Sequence, residues 1–394
     1  MSNLAISATY EQVALISYAG AVSESTVVIV HERLTEFAGS EQVVLQLAEE
    51  WPEADVHVPV AVSSPETSVL DGRVKVGRVD GIHSLMGRRS HVPLLPLFPS
   101  SFRRMKLGDA DAVIISHHLA ALAAANAAQQ PTIAYVHSPA RWAWDPEMRR
   151  GEATTFAGRC ALSALGSFIR RTESSAVPAV SMFVANSSAV RDRIRNWWQR
   201  DAPIVHPPVD TDHYTVDDAV ERDDFFLLAG RLVPYKRPDL AIAAAERAGV
   251  RLIVAGDGRL AAECRAIAGP YTSFLGRVSD AEMLDLQRRA RALLMPGVED
   301  FGIVPVEAMA CGTPVIAVGA GGARDTVVPG VSGELVPAGS DGEVIAALAS
   351  ALKSFQDDAY RPADIRKHAE KFSRARFRQQ MRAAVDAAID GQRS

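Results

Sequence analysis

The sequence predicts an α/β protein built on two doubly wound parallel sheets. Three observations carry this: short, continuously apolar, β-branched runs recur along the chain, helical patterns separate them, and a proline-rich joint divides them into two similar halves. In the first half the runs lie at 26–30, 56–60, 112–116, 132–136 and 182–185. In the second they lie at 225–229, 252–255, 273–275, 292–295 and 314–318. Strands covered on both faces read this way, without polar alternation. Helical stretches such as 41–50, 238–248 and 280–289 lie between them. So many strands exceed one ordinary doubly wound unit, so two Rossmann-like domains facing a central crevice are expected. The joint at 203–210, with Pro203, Pro207 and Pro208, places them at 1–205 and 206–370. Residues 1–24 are expected to be a loosely ordered extension. Residues 365–389 read as one or two helices, and 371–394 as a C-terminal helix packing back on the first domain.

At 394 residues the chain suits two domains, and its 48% hydrophobic and 23% charged fractions are those of a soluble globular protein. A net charge of -5 argues against a nucleic-acid partner. Cys160, Cys264 and Cys311 are far apart and show no metal spacing, so they read as reduced core residues of a cytoplasmic protein. No apolar run approaches a membrane span, and no basic segment precedes an apolar one at the start. Residues 88–106 hold Arg88, Arg89, Arg103, Arg104 and Lys106 and no acid, around an apolar stretch with Pro93, Pro96 and Pro99. Such a segment can rest peripherally on the inner face of the plasma membrane or on a lipid-linked acceptor, or can be a solvated loop beside packed residues.

Five segments carry candidate chemistry. After the run at 292–295 a loop leads to Glu299, Phe301, Gly302, Ile303 and Val304. Pro305 then suits a first helical turn, and Gly312 suits the end of that helix. Backbone N–H groups at 301–304 would form an anion-attracting helix start. Glu299, in the loop, can accept hydrogen bonds from sugar hydroxyls, and Glu307, read as part of the first turn, from a ribose; equally, both can be solvated or dipole-complementing acids. Arg231 and Lys236, in the turn leaving 225–229, can straddle a diphosphate. His137 ends the run at 132–136, where functional residues of such sheets collect. Gly39, in Gly39-Ser40-Glu41, opens a helix through a small-residue turn, without the G-x-G-x-x-G pattern of dinucleotide binders. Gly319, Gly321 and Gly322, with Asp325, form a second Gly-rich turn.

Glu299 and Glu307, with seven residues between them, stand in a run reading EDFGIVPVEAMACGTPVIA. With Asn186-Ser187-Ser188, Pro207-Pro208-Val209-Asp210, the turn from Gly230 to Lys236, Ala255-Gly256-Asp257-Gly258 and Phe274-Leu275-Gly276, this run resembles the family 4 retaining glycosyltransferases of GT-B fold, over about residues 26–390. The resemblance implies an acceptor-side first domain and a nucleotide-sugar-binding second one. It implies that Arg231 and Lys236 hold the donor diphosphate and that Glu307 binds the ribose. Glu299 and the backbone at Phe301, Gly302, Ile303 and Val304 would position the hexose, His137 would contact the donor sugar, and Gly39 would lie on the donor side. Two positions depart from the family pattern: Gly39-Ser40-Glu41 stands for Gly-Gly-x-Glu, and Asp325 for a glutamate.

The wording around Tyr135–His137 and Arg141–Asp145 looks like the mannosyltransferases of bacterial O-antigen and capsule assembly, which use GDP-mannose. The expectation is therefore retaining hexosyl transfer from GDP-mannose to a glycan, lipid-linked or small-glycoside acceptor, with no cofactor and no required metal. A UDP-sugar transferase of the same fold is the alternative, followed by a nucleotide-sugar epimerase and an inactive scaffold.

Overall fold

The computed structural model describes residues 25–88, 90–145 and 155–393. The expectation for 1–24 and that for Arg89 lie outside these residues. The chain forms two compact units: Met1–Ala185 with Arg193–Val205 and Met381–Ser394, and Asn186–Asp192 with His206–Gln380. Residues 186–192, placed in the first domain by the sequence reading, thus pack with the second unit, because the N–H of Ser188 is held by the carboxylate of Asp325 at 2.6 Å.

The first unit is a six-stranded parallel sheet of β1 (Val27–His31), β2 (Val56–Val58), β3 (Val74–Val76), β4 (Ala112–His117), β5 (Thr132–Val136) and β6 (Met182–Ala185), in the order β3-β2-β1-β4-β5-β6. The second holds β7 (Phe226–Ala229), β8 (Leu252–Ala255), β9 (Thr272–Gly276), β10 (Leu293–Met295), β11 (Val315–Val318) and β12 (Gly333–Val336), in the order β12-β11-β10-β7-β8-β9. Counted within its own unit, each sheet runs 3-2-1-4-5-6. In both, strand order reverses between the first and fourth strands, which is where ligands bind in sheets of this kind. The central strands β1, β4 and β5 are buried at every residue, which is why they read as unbroken apolar runs.

The sequence reading missed β3 and β12, both edge strands. β3 is only three residues long, with Lys75 and Val76 exposed, and β12 opens on a glycine. An edge strand covered on one side need not be continuously apolar. The C-terminal stretch forms two helices, Pro362–Ala369 and Arg374–Arg393. In the first unit Arg382 of the latter pairs with Glu50 and lies 5.4 Å from the Trp51 ring, while Met381 and Val385 are fully buried.

Two further expectations change. Cys264 and Cys311 are buried, but Cys160 is exposed, on the outer face of helix Phe156–Ala176. The described part of the 88–106 segment holds both packed and exposed residues. Leu94, Phe98 and Phe102 pack into the core, while Val92 and Leu97 are exposed, and Arg88 is neutralised by a two-pronged pair with Asp80 at 2.9 Å.

Candidate functional site

The second unit places its candidate residues on the loops after β7 and β10, the neighbouring strands where its order reverses. The loop after β7 tightens into a short 3-10 turn, Pro234–Lys236. Arg231, at its start, is exposed, whereas Lys236, at its end, turns inward. The ammonium of Lys236 donates to Oε1 of Glu299 at 2.9 Å, and each side chain is 18% exposed. Two residues assigned to different groups of a ligand are therefore a joined pair.

The loop bearing Glu299 ends at Gly302, whose φ of +91° caps helix Ile303–Ala310 in a conformation that favours glycine. The Gly319–Gly322 turn buttresses it. The N–H of Gly322 donates to the carbonyl of Glu299 at 2.9 Å, and a Cβ on Gly322 would sit 2.3 Å from Cα of Phe301. The helix closes on Gly312, whose N–H reaches the Met309 carbonyl while that of Thr313 reaches Ala308, both at 2.9 Å.

One sequence expectation is corrected here. Because Gly302 starts the helix at Ile303, Glu307 is the fifth helical residue and opens the second turn, not the first. The Phe301 ring is buried between His206, at 5.4 Å, and Phe372, at 5.6 Å, so only its backbone is available to a ligand. Ile303 and Val304 are half-buried at the helix start. Burial pushes the Glu307 carboxyl up to about 7, against the smaller opposing pulls of the Gln287 amide and the Lys236 ammonium. Glu307 is thus poised between neutral and charged forms near neutral pH.

In the first unit His137 follows β5 directly. Its partners come from the ends of β1 and β4, the strands where that sheet's order reverses. Register partners on parallel strands share a face. On one face His31 of β1 lies beside Ser116 of β4. Ser116 Oγ is 3.0 Å from Nδ1 of His31 and 2.8 Å from Nε2 of His137, and Nε2 of His31 is 3.3 Å from Oε1 of Glu41. Glu41, on helix Gly39–Glu50, also accepts from the Ala38 N–H at 3.1 Å and the Ser40 hydroxyl at 2.9 Å. Gly39 is thus the first residue of a helix whose start Glu41 closes. Burial alone would raise the Glu41 carboxyl, but its bonds to His31 and Ser40 hold it down at about 2. Burial keeps His137 well below its ordinary value, and so neutral.

On the opposite face His117 sits between Glu32, at 3.3 Å, and Glu173, at 3.0 Å, all three fully buried. Burial would lower the His117 imidazole, yet the two carboxylates raise it to about 9. Oε1 of Glu32 also accepts the N–H groups of Leu119, Ala120 and Ala121 at 2.7–2.8 Å. The bond to His117, with the neighbouring imidazoles of His118 and His117 and the Ala121 N–H, holds Glu32 well below the usual carboxylate range in spite of its burial. His118 lies 6.2 Å from the His137 ring, and its Nε2 faces Arg33 at 3.0 Å. Sequence reasoning missed His31, Glu32, Ser116, His117, His118 and Glu173. Their signal was position: each of the first five stands at the carboxyl end of β1 or β4 or one residue beyond it.

The chain matches two family models, one described as Glycosyltransferase Family 4 over residues 37–213 and one as Glycosyl transferases group 1 over residues 215–372. A D-inositol 3-phosphate glycosyltransferase of Mycobacterium sp. (strain KMS) is 34% identical over 195 residues, 43% of each chain. D-inositol 3-phosphate glycosyltransferase 1 of Catenulispora acidiphila is 32% identical over 258 residues, 56% of this chain and 60% of that one. The chain thus spans less than two thirds of the length of these curated relatives. Among solved structures, Anabaena Alr3699/HepE in complex with UDP has the same fold, with a TM-score of 0.67 at 19% identity over 92% of this chain and all of that one. The lipopolysaccharide outer core galactosyltransferase WaaB gives 0.65 at 18% identity over 92% of this chain and 99% of the other.

Proposed function

Because the chain belongs to glycosyltransferase family 4 and has the GT-B architecture, we propose that it is a retaining hexosyltransferase using a UDP-sugar. The observation that carries the donor site is the Lys236–Glu299 pair beside the helix start at Gly302, on the two loops where the second sheet's order reverses. Arg231 and Lys236 take the diphosphate, and Glu307 takes a ribose hydroxyl. Glu299, with the backbone of Phe301 to Val304, fixes the hexose. His137 is assigned to a sugar hydroxyl. Support for the donor base moves from guanine, to which the wording at 135–145 pointed, towards uracil, because Anabaena Alr3699/HepE, a neighbour of the same fold, was solved both with UDP and with UDP-glucose.

In the reaction the bond from the anomeric carbon to the diphosphate oxygen breaks. The bond to the acceptor oxygen forms on the same face, and the acceptor's proton passes to the departing phosphate oxygen. Arg231, Lys236 and the helix N–H groups stabilise the charge growing on that leaving group. The reading needs no metal, so prolonged dialysis against EDTA leaves turnover unchanged. The acceptor is a glycan, lipid-linked saccharide or small glycoside, and the relatives' name makes inositol 3-phosphate the first acceptor to assay. A peripheral membrane position draws support from exposed Leu85, Val92 and Leu97 beside exposed Arg103, Arg104 and Lys106.

Thermal-shift titration with UDP, UDP-sugars, GDP and GDP-mannose tests the donor. Stabilisation by the uridine compounds is expected, and stabilisation by the guanosine compounds alone overturns the assignment. Donor consumption without acceptor would instead mark an epimerase or hydrolase.

A further inference from the structure

We propose that Arg237 is a positioning residue for Lys236: its guanidinium holds the strained backbone turn that aims Lys236 at Glu299. The effect on nucleotide binding rests on the assignment of Lys236 to the donor diphosphate. The structural content rests on the Lys236–Glu299 pair alone.

Arg237 directly follows Lys236 and directly precedes helix Pro238–Ala248. Its φ and ψ, both +50°, are left-handed, a conformation that suits glycine and strains a residue with a Cβ. Among the described residues only Arg88 and Gln199 share a positive φ without being glycine. The turn before it is tight: the N–H of Lys236 reaches the Val233 carbonyl and that of Arg237 the Pro234 carbonyl, both at 3.1 Å. The turn also has no slack against the loop leaving β10, since a Cβ on Gly297 would sit 2.6 Å from Cα of Lys236. If residue 237 relaxed to the right-handed region, the turn would swing relative to the helix that anchors it, and Lys236 with it.

The Arg237 side chain offsets the strain. Its Nε donates to Oδ1 of Asp239 at 3.1 Å and its Nη2 to Oδ2 of Asp239 at 2.9 Å. Its Nη1 and Nη2 meet the two oxygens of Asp341 at 2.8 and 2.7 Å. Asp239 lies in the first turn of the helix that follows, and Asp341 opens helix Asp341–Ser354. One planar guanidinium therefore ties the turn to two helix starts. Most of its N–H groups are committed to carboxylates, so Arg237 acts through Lys236 and need touch no ligand.

Calorimetric titration with UDP and, in parallel, GDP reads the diphosphate site. Crystal structures of the unliganded variants read the Lys236–Glu299 distance. Arg237→Ala removes the anchors and leaves a strained residue. It should weaken nucleotide binding by about tenfold or more and separate Lys236 from Glu299. Arg237→Gly removes the same anchors but takes the left-handed turn freely. It should bind within about threefold of the wild type, with the pair intact. In a Lys236→Ala background neither change should weaken binding further. Equal losses in the two Arg237 variants, wild-type affinity in Arg237→Ala, or a loss that persists without Lys236 each overturn the proposal. Should Arg237→Ala not fold, Asp341→Asn loosens one anchor at an exposed carboxylate. It should weaken binding by about threefold in the wild type and not at all in Arg237→Gly. The same result in both backgrounds overturns the proposal. If Lys236→Ala alone leaves nucleotide binding unchanged, the donor-site reading fails. The Lys236–Glu299 distance then decides the positioning role by itself, and a pair still intact in Arg237→Ala overturns it.

Discussion

Lys236 and Glu299, 63 residues apart in sequence, meet at 2.9 Å across the loops that leave β7 and β10. Opposite charges on adjacent loops explain how a turn of exposed residues holds one shape before any ligand arrives. They also hold a cation and an acid within one hydrogen bond of each other.

Lys236→Ala and Glu299→Ala should each lower kcat/KM by about 100-fold or more, the scale of a lost charge-stabilising donor in a water-excluded site. The double variant should lose less than the product of the two, because each partner also orients the other. Thermal stability should change little, since a partly exposed pair contributes about 1 kcal/mol at most. Steady-state kinetics of the three variants decides this, and near-normal transfer by both single variants removes the site.

Glu307 should make stability fall with rising pH. Its carboxyl titrates at about 7 in the folded protein against an ordinary 4.5. Below 4.5 it is protonated in both folded and unfolded chains. Between 4.5 and 7 only the unfolded chain releases the proton, so folding weakens, and above 7 the whole cost of roughly 3 kcal/mol applies. Glu307→Gln should flatten this slope and raise the urea midpoint at pH 8 above that of the wild type. Parallel profiles from pH 5 to 8 would contradict it.

His117 runs over a different window, between its ordinary 6.5 and about 9. Its raised value stabilises the fold fully below 6.5, and that stability is lost as pH rises through 9. His117→Gln leaves Glu32 and Glu173 buried without their cation, and should destabilise the first unit by about 3–5 kcal/mol. Calorimetry at pH 6.5 and 9.5 should show a large difference in the wild type and a smaller one in the variant.

The basic, apolar surface of the first unit should bind anionic vesicles. Flotation with phosphatidylglycerol liposomes should recover the wild-type protein and lose it on changing Arg103, Arg104 and Lys106 together to glutamate, with turnover on a soluble acceptor preserved. Equal recovery of the two proteins removes membrane contact from the reading.

Most of the ten strands read from sequence were legible because their residues are buried and continuously apolar, as in β1, β5, β8 and β11. β3 and β12 were not, since an edge strand needs one covered side and can carry Lys75 or Glu334. At the proposed donor site the types and spacing of Glu299, Glu307, Arg231 and Lys236 were visible. Their pairing was not, because it depends on β7 lying next to β10. The network around His137 was hidden for the same reason. Every link from His31 to Ser116 to His137 crosses strands, and the register that aligns residues 85 apart leaves no mark in composition or periodicity. Phe301 was read only for its backbone, and its ring belongs to the core.

The return of residues 381–393 to the first unit has a consequence for biogenesis. The surface around Glu50 and Trp51 leaves the ribosome more than 300 residues before the helix that covers it, whose Arg382 lies 332 positions from Glu50. At about 5–20 residues per second this is a delay of tens of seconds at the slower rates. During translation the first unit must therefore wait with an open apolar flank while the whole of its companion is made. A nascent chain stalled short of residue 381 should bind chaperones that the finished protein ignores.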